Sequence, residues 1–189
     1  MSGDKEKVGV DLGLNDEEKT ELRRIARTVI EKRARCEAIP SISSSSGKLN
    51  EKWGAFVSIY KQGMLRGCIG TLESPNPLCS TIEDMAQAAA FRDPRFRPIG
   101  PEELPYLELE ISVLTPLREV KDSSEIQVGR DGILIRQGSC SGVLLPQVAS
   151  ERNWDRITFL EETCRKAGLP KNAWKEPNTK IYIFSADVF

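Results

Sequence analysis

Residues 54–72 read GAFVSIYKQGMLRGCIGTL, and this stretch decides the fold. Its first part, Gly54 to Tyr60, is rich in β-branched and aromatic side chains, and its second, Met64 to Leu72, is again apolar. Gln62 and Gly63 between them suit a tight turn, so the two parts read as an antiparallel hairpin. Gly67 and Gly70 interrupt the second strand. A glycine there weakens the strand and marks a bulge or the close approach of a backbone or a ligand. Side chains two apart share a strand face, so Arg66 and Cys68 are expected together on one side. Gly67 then leaves room on the other side for a helix or a second lobe.

Outward from the hairpin the pattern stays legible. Asn15, with Glu18 three residues on, opens a helix as a capping box would. Leu22, Ile25, Ala26, Val29 and Ile30 form its apolar stripe, which runs to about Arg35. IPSISSSSGKLNEK, residues 39–52, is a serine-rich surface loop. After Pro75-Asn76-Pro77 a second helix, Leu78 to Arg92, presents Leu78, Ile82, Met85, Ala86 and Ala89. It stops at Asp93-Pro94, because the residue before proline is pushed out of the helical region. Leu107, Leu109, Ile111 and Val113 alternate with Glu108, Glu110 and Ser112, a half-buried strand. Residues 132–137 and 142–146 read as a second hairpin. Asp155 caps a helix that ends at Gly168, and residues 179–185 form a closing strand. The order α-β-β-α-β-β-β-α-β has no regular βαβ alternation. It predicts an α+β fold, with mainly antiparallel sheet and helices on one face.

The 189 residues amount to about one domain. Residues 1–13 are expected to be a disordered tail and 14–189 a single domain. With 27 basic and 28 acidic residues the net charge is −1, so bulk charge points to neither nucleic acid nor an anionic membrane. No apolar run approaches the ~20 residues of a membrane span, and the N-terminus lacks a signal-peptide core. A cytoplasmic protein without membrane partners is expected. There is no histidine. That excludes Ser-His-Asp and Cys-His catalysis, HExxH zinc sites and Cys/His fingers. The five cysteines, Cys36, Cys68, Cys79, Cys140 and Cys164, nowhere reach CxxC spacing. They read as reduced thiols, and neither a metal nor a cofactor is expected.

Gly138-Ser139-Cys140-Ser141-Gly142 has the form of a hydrolase nucleophile elbow, but that elbow needs a helix after it and a histidine elsewhere. A hairpin loop is the better reading. In Leu65-Arg66-Gly67-Cys68-Ile69-Gly70, Cys68 is either a nucleophile with Arg66 holding an anion, or a small core residue in a tightly packed strand. The run Arg92-Asp93-Pro94-Arg95-Phe96-Arg97 either binds an anion or caps the end of the preceding helix. Glu108 and Glu110 share a strand face, where they are either paired carboxylates or a solvated edge. Trp53, Trp154 and Trp174 are too dispersed for a stacking platform.

The stretch Leu65 to Gly70, extended by Thr71-Leu72-Glu73, resembles the AMMECR-one domain family. Further similar stretches are Arg92 to Phe96, Glu108 to Leu114, Val143 to Ala149, Trp154-Asp155 and Cys164 to Pro170. The resemblance runs in order from about residue 14 to the C-terminus. It departs at Ser139-Cys140-Ser141, where the family more often has an ordinary turn. It implies two unequal lobes, the smaller over about residues 76–124, with the Leu65–Gly70 stretch near the groove between them. It supplies no reaction. It implies a basic intracellular role, with Memo-like and radical-SAM proteins as partners in a modification pathway that acts on RNA in one version. Cys68 is thus the candidate catalytic residue. Arg66, Gly67, Gly70, Asp93, Arg95 and Glu110 are candidates for ligand contact. Two readings stand: a binding module for a small anionic ligand, nucleotide or partner, and a Cys68-dependent enzyme.

Overall fold

The computed structural model describes residues 10–41 and 47–189. Part of the expected disordered tail (1–9) and of the serine-rich loop (42–46) lies outside the described residues. The fold is α+β, and every described strand pair is antiparallel. The chain divides into two compact units, residues 13–116 with 188–189, and residues 10–12 with 117–187.

In the first unit, helix α1 (Asp16–Ala34) starts at the expected capping box. The Asn15 side chain accepts from the Glu18 N–H at 2.8 Å, and Glu18 accepts from the Asn15 N–H at 3.0 Å. Its buried stripe is Leu22, Ile25, Ala26, Val29 and Ile30. Strands β1 (Gly54–Lys61) and β2 (Met64–Thr71) form the hairpin. Gln62 and Gly63 both adopt positive φ, 53° and 74°, the pair of left-handed residues that a two-residue hairpin turn requires. Helix α2 (Leu78–Phe91) and strand β3 (Leu107–Leu114) follow. β1 lies between β2 and β3. Ala55, Val57 and Ile59 are fully buried, the face on which the helices pack. Removing such side chains from water contributes roughly 1.5–3 kcal/mol for each large one.

In the second unit, β7 (Lys180–Val188) lies between β4 (Arg118–Val120) and β5 (Asp131–Gln137), with β6 (Cys140–Leu144) beyond β5. The hairpin read from sequence is present, but its loop is only Gly138-Ser139, with Gly138 at φ 59°: Gln137 pairs with Cys140, so Cys140, Ser141 and Gly142, expected in the loop, belong to β6. Pro146 was expected to end that strand. It instead opens helix α3 (Pro146–Glu151) at the position where a missing N–H costs nothing. Helix α4 (Arg156–Lys166) is capped by Asp155, which accepts from the Thr158 N–H at 2.7 Å. Ile133, Ile135, Phe159, Leu160, Cys164 and Ile183 are among the buried residues of one core. Val10 joins this unit by donating to the Ala186 carbonyl at 2.8 Å.

Candidate functional site

The hairpin places the candidate residues. Counted from its turn, Lys61 faces Met64 and Tyr60 faces Leu65, but Ile59 faces Gly67, so Arg66 is an extra residue bulged out of register. Beyond the bulge Ser58 faces Cys68, and on the other side Ser58 faces Glu110. The row Glu110–Ser58–Cys68 therefore crosses three strands on one face. The Ser58 hydroxyl lies 3.3 Å from the Cys68 sulfur. Glu110 and Cys68 are half-buried, and Ser58 is buried.

The bulge also undoes the expected alternation between Arg66 and Cys68. The Arg66 guanidinium turns to Glu103, in the 3-10 turn Pro101–Tyr106, donating through Nε at 3.0 Å and Nη2 at 2.9 Å. Lys61, which has the strand parity of Ile59, reaches the same carboxylate at 2.9 Å. Hydrogen bonds from Arg66, then Lys61 and the Gly100 N–H, outweigh burial and hold the Glu103 carboxyl down at about 2, far below its ordinary 4.5. The third nitrogen of Arg66, Nη1, is buried and finds no acceptor among the described residues.

The cation beside Cys68 is Arg95. Its Nη2 donates to the Cys68 carbonyl at 3.2 Å, while the Cys68 N–H donates to Asp93 Oδ2 at 2.9 Å. Asp93 is nearly sealed from solvent. It also accepts from the Arg95 backbone N–H, Nε and Nη2 at 3.1, 2.9 and 2.7 Å. Those bonds, with Arg95's side chain first, drive its carboxyl well below the usual carboxylate range. The Asp93-Pro94-Arg95 turn thus clasps β2 at Cys68. The Phe96 ring has the Arg95 and Arg66 guanidinium carbons 5.4 and 5.9 Å from its centroid.

The two glycines answer to close approach. A Cβ on Gly67 would lie 2.2 Å from the Ala89 carbonyl oxygen of α2, so this position does make room for a helix. A Cβ on Gly70 would lie 2.2 Å from the Phe56 ring. All five cysteines are free thiols. Among the described residues, no three His, Cys, Asp or Glu side chains gather as a metal would need, and no helix is long and apolar enough to cross a membrane.

The profile of the AMMECR1 family matches residues 23–189. The chain belongs to the AMMECR1 family. A Thermococcus gammatolerans protein is 43% identical over 179 residues, covering 89% of this chain and 87% of its own. A Methanothermobacter thermautotrophicus protein is 40% identical over 183 residues, covering 93% and 95%. The crystal structure of an uncharacterized protein from Pyrococcus horikoshii superposes with a TM-score of 0.87 at 39% identity, covering 93% of this chain and 92% of its own. The AMMECR1 match takes in Arg66, Cys68, Asp93, Arg95 and Glu110.

Within this AMMECR1 domain, Ser58, Phe96 and Glu103 belong to the site although sequence reasoning did not single them out. Glu103 had a visible signal. Gly100-Pro101-Glu102-Glu103 is a helical start with an acid at the third position, and Glu103 accepts from the Gly100 N–H at 3.3 Å. Ser58 had none, because the one-residue bulge moves its partner from Gly67 to Cys68.

Proposed function

We propose that the site on β2 is a binding module for a small anionic ligand, a nucleotide among the class. The observation that carries this reading is Arg66 Nη1. The guanidinium is fixed by Glu103 through its other two nitrogens, and this third one is buried without an acceptor among the described residues. A buried unpaired donor costs roughly 1–3 kcal/mol, and an anionic oxygen would recover it as a charge-assisted bond. Arg95 adds a second cation on the same Phe96 ring, with its side chain 54% exposed. Three cations, Lys61, Arg66 and Arg95, stand against two carboxylates, Glu103 and Asp93. A pull-down of metabolites and RNA with the wild type and Arg66→Ala, read by mass spectrometry, tests it. An anionic species is retained by the wild type and largely lost by a variant whose thermal melting shows it folded. An unchanged set on the folded variant removes the reading.

One observation favours a second reading, a Cys68-dependent enzyme in a modification pathway that acts on RNA. Ser58 contacts the Cys68 sulfur, and Glu110 follows in the same cross-strand row, so a thiol, a hydroxyl and a carboxylate stand in line. Intact-mass analysis after exposure to a cell extract is the check. A covalent adduct mapped to Cys68 supports catalysis, and its absence leaves the binding module.

A further inference from the structure

The second unit holds an open surface depression of about 370 Å³ between β6, the end of α3 and the end of α4. We infer that this depression binds a phosphate monoester carried on a flat apolar body of roughly nucleoside size. Its apolar lining is Leu144, Val148 and Trp154, and the indole packs at the margin of the unit's core. Its polar lining is Arg152, Arg165, Lys166 and Glu162. Glu162 is already taken, accepting from Arg165 Nη1 at 2.7 Å. Neither Arg152 nor Lys166 has a carboxylate partner among the described residues. The depression therefore carries a surplus of two positive charges, the complement of a monoester dianion at neutral pH.

The Arg152 guanidinium stands over the Trp154 indole. Its carbon lies 5.2 Å from the Trp154 ring centroid, and a planar fork held on an indole loses less freedom when it binds an anion. Arg165 and Lys166 sit in the last turn of α4, where cations suit the negative helix end. That preference does not bring Arg152, from the cap of another helix, into the same depression. The volume lies at the small end of ligand pockets, which begin near ~300 Å³, and it matches a mononucleotide better than a cofactor of dinucleotide size.

Calorimetric titration of the full chain with phenyl phosphate, adenosine 5′-monophosphate and inorganic phosphate tests the inference, alongside the Trp154 indole resonance in nitrogen–proton spectra. Both esters bind and shift that resonance. Inorganic phosphate, lacking the apolar body, binds at least roughly tenfold more weakly. Replacing the exposed pair, Arg152→Gln with Lys166→Gln, weakens both esters about tenfold or more at low salt, and added salt does the same to the wild type. If neither ester binds at millimolar concentration, if the double variant binds them as well as the wild type, or if binding leaves the Trp154 resonance in place, the inference fails. Arg66→Ala leaves these residues intact, so the outcome is separable from that of the β2 site.

Discussion

At position 67 a single methyl group decides whether a helix can lie on a strand. The Cβ of an alanine there would meet the Ala89 carbonyl oxygen at 2.2 Å and its carbon at 3.1 Å, backbone atoms that cannot swing aside. Gly67→Ala is expected to destabilise the fold by at least the ~1–3 kcal/mol of overpacking. Gly63→Ala, at φ 74° with open space around it, costs only the left-handed strain, about 1–2 kcal/mol. Urea midpoints of the two variants make the comparison, and equal losses would speak against the close-approach argument. Glu103 gives a pH prediction. Its folded value of about 2 lies below the ordinary 4.5, so its stabilisation is complete above about pH 5 and disappears as pH falls toward 2. Its side chain is 13% exposed, and the contribution is at most about 3 kcal/mol. Glu103→Gln lacks it at every pH, so the stability gap to the wild type narrows between pH 5 and pH 2. A gap that stays constant on acid titration would show that the carboxylate is not the source. The sequence announced Gly67's role because a glycine inside a strand has few other reasons to be there. It could not announce where Arg66 points, since one bulged residue ends the two-residue alternation on which that expectation rested.

Among elements, β2 is the outer strand of its sheet, and the turn after α2 treats it as a neighbouring strand would. Asp93 supplies the acceptor for the Cys68 N–H and Arg95 the donor for the Cys68 carbonyl. Asp93→Ala leaves that N–H unpaired and removes the anchor of Arg95. Amide exchange at Cys68 is expected to accelerate at least roughly tenfold, the equivalent of one hydrogen bond, while Val29 in α1 keeps its protection. Equal acceleration at both amides would mean global destabilisation instead of a local clasp. The helix ends and the first hairpin were readable because their chemistry is local: Asn15 with Glu18, Asp155, and Gln62 with Gly63. β4 was not, since Arg118-Glu119-Val120 is too short to show an alternation. Nor was α3, since a proline that can end a strand can equally open a helix.

For the whole molecule, the five thiols report burial across both units. Cys36 is exposed, Cys68 and Cys140 are intermediate, and Cys79 and Cys164 are buried. Burial also pushes the Cys164 thiol up, which withholds its reactive thiolate. Site-resolved alkylation of the native protein is expected to run in that order, Cys36 first and Cys79 with Cys164 last. Cys68 reacting as slowly as Cys164 would remove the nucleophile reading and leave a packing residue. The α+β class followed from element order alone. The division into units did not, because residues 10–12 join a unit that starts again at 117, and such a link between distant segments has no local pattern to betray it.

The clasp on β2 also bears on how the protein behaves in a crowded solution. An outer strand with open amide and carbonyl groups is a template on which another chain can add, strand upon strand, toward insoluble fibres. At Cys68 both groups are already taken, by side chains that present a turn and a charge where an incoming strand would need a straight backbone. Pairing copies edge to edge across this position first requires an ion pair, sealed from water on its acidic side, to be pulled apart. The same two residues that order the site therefore keep neighbouring molecules from using it as a seed.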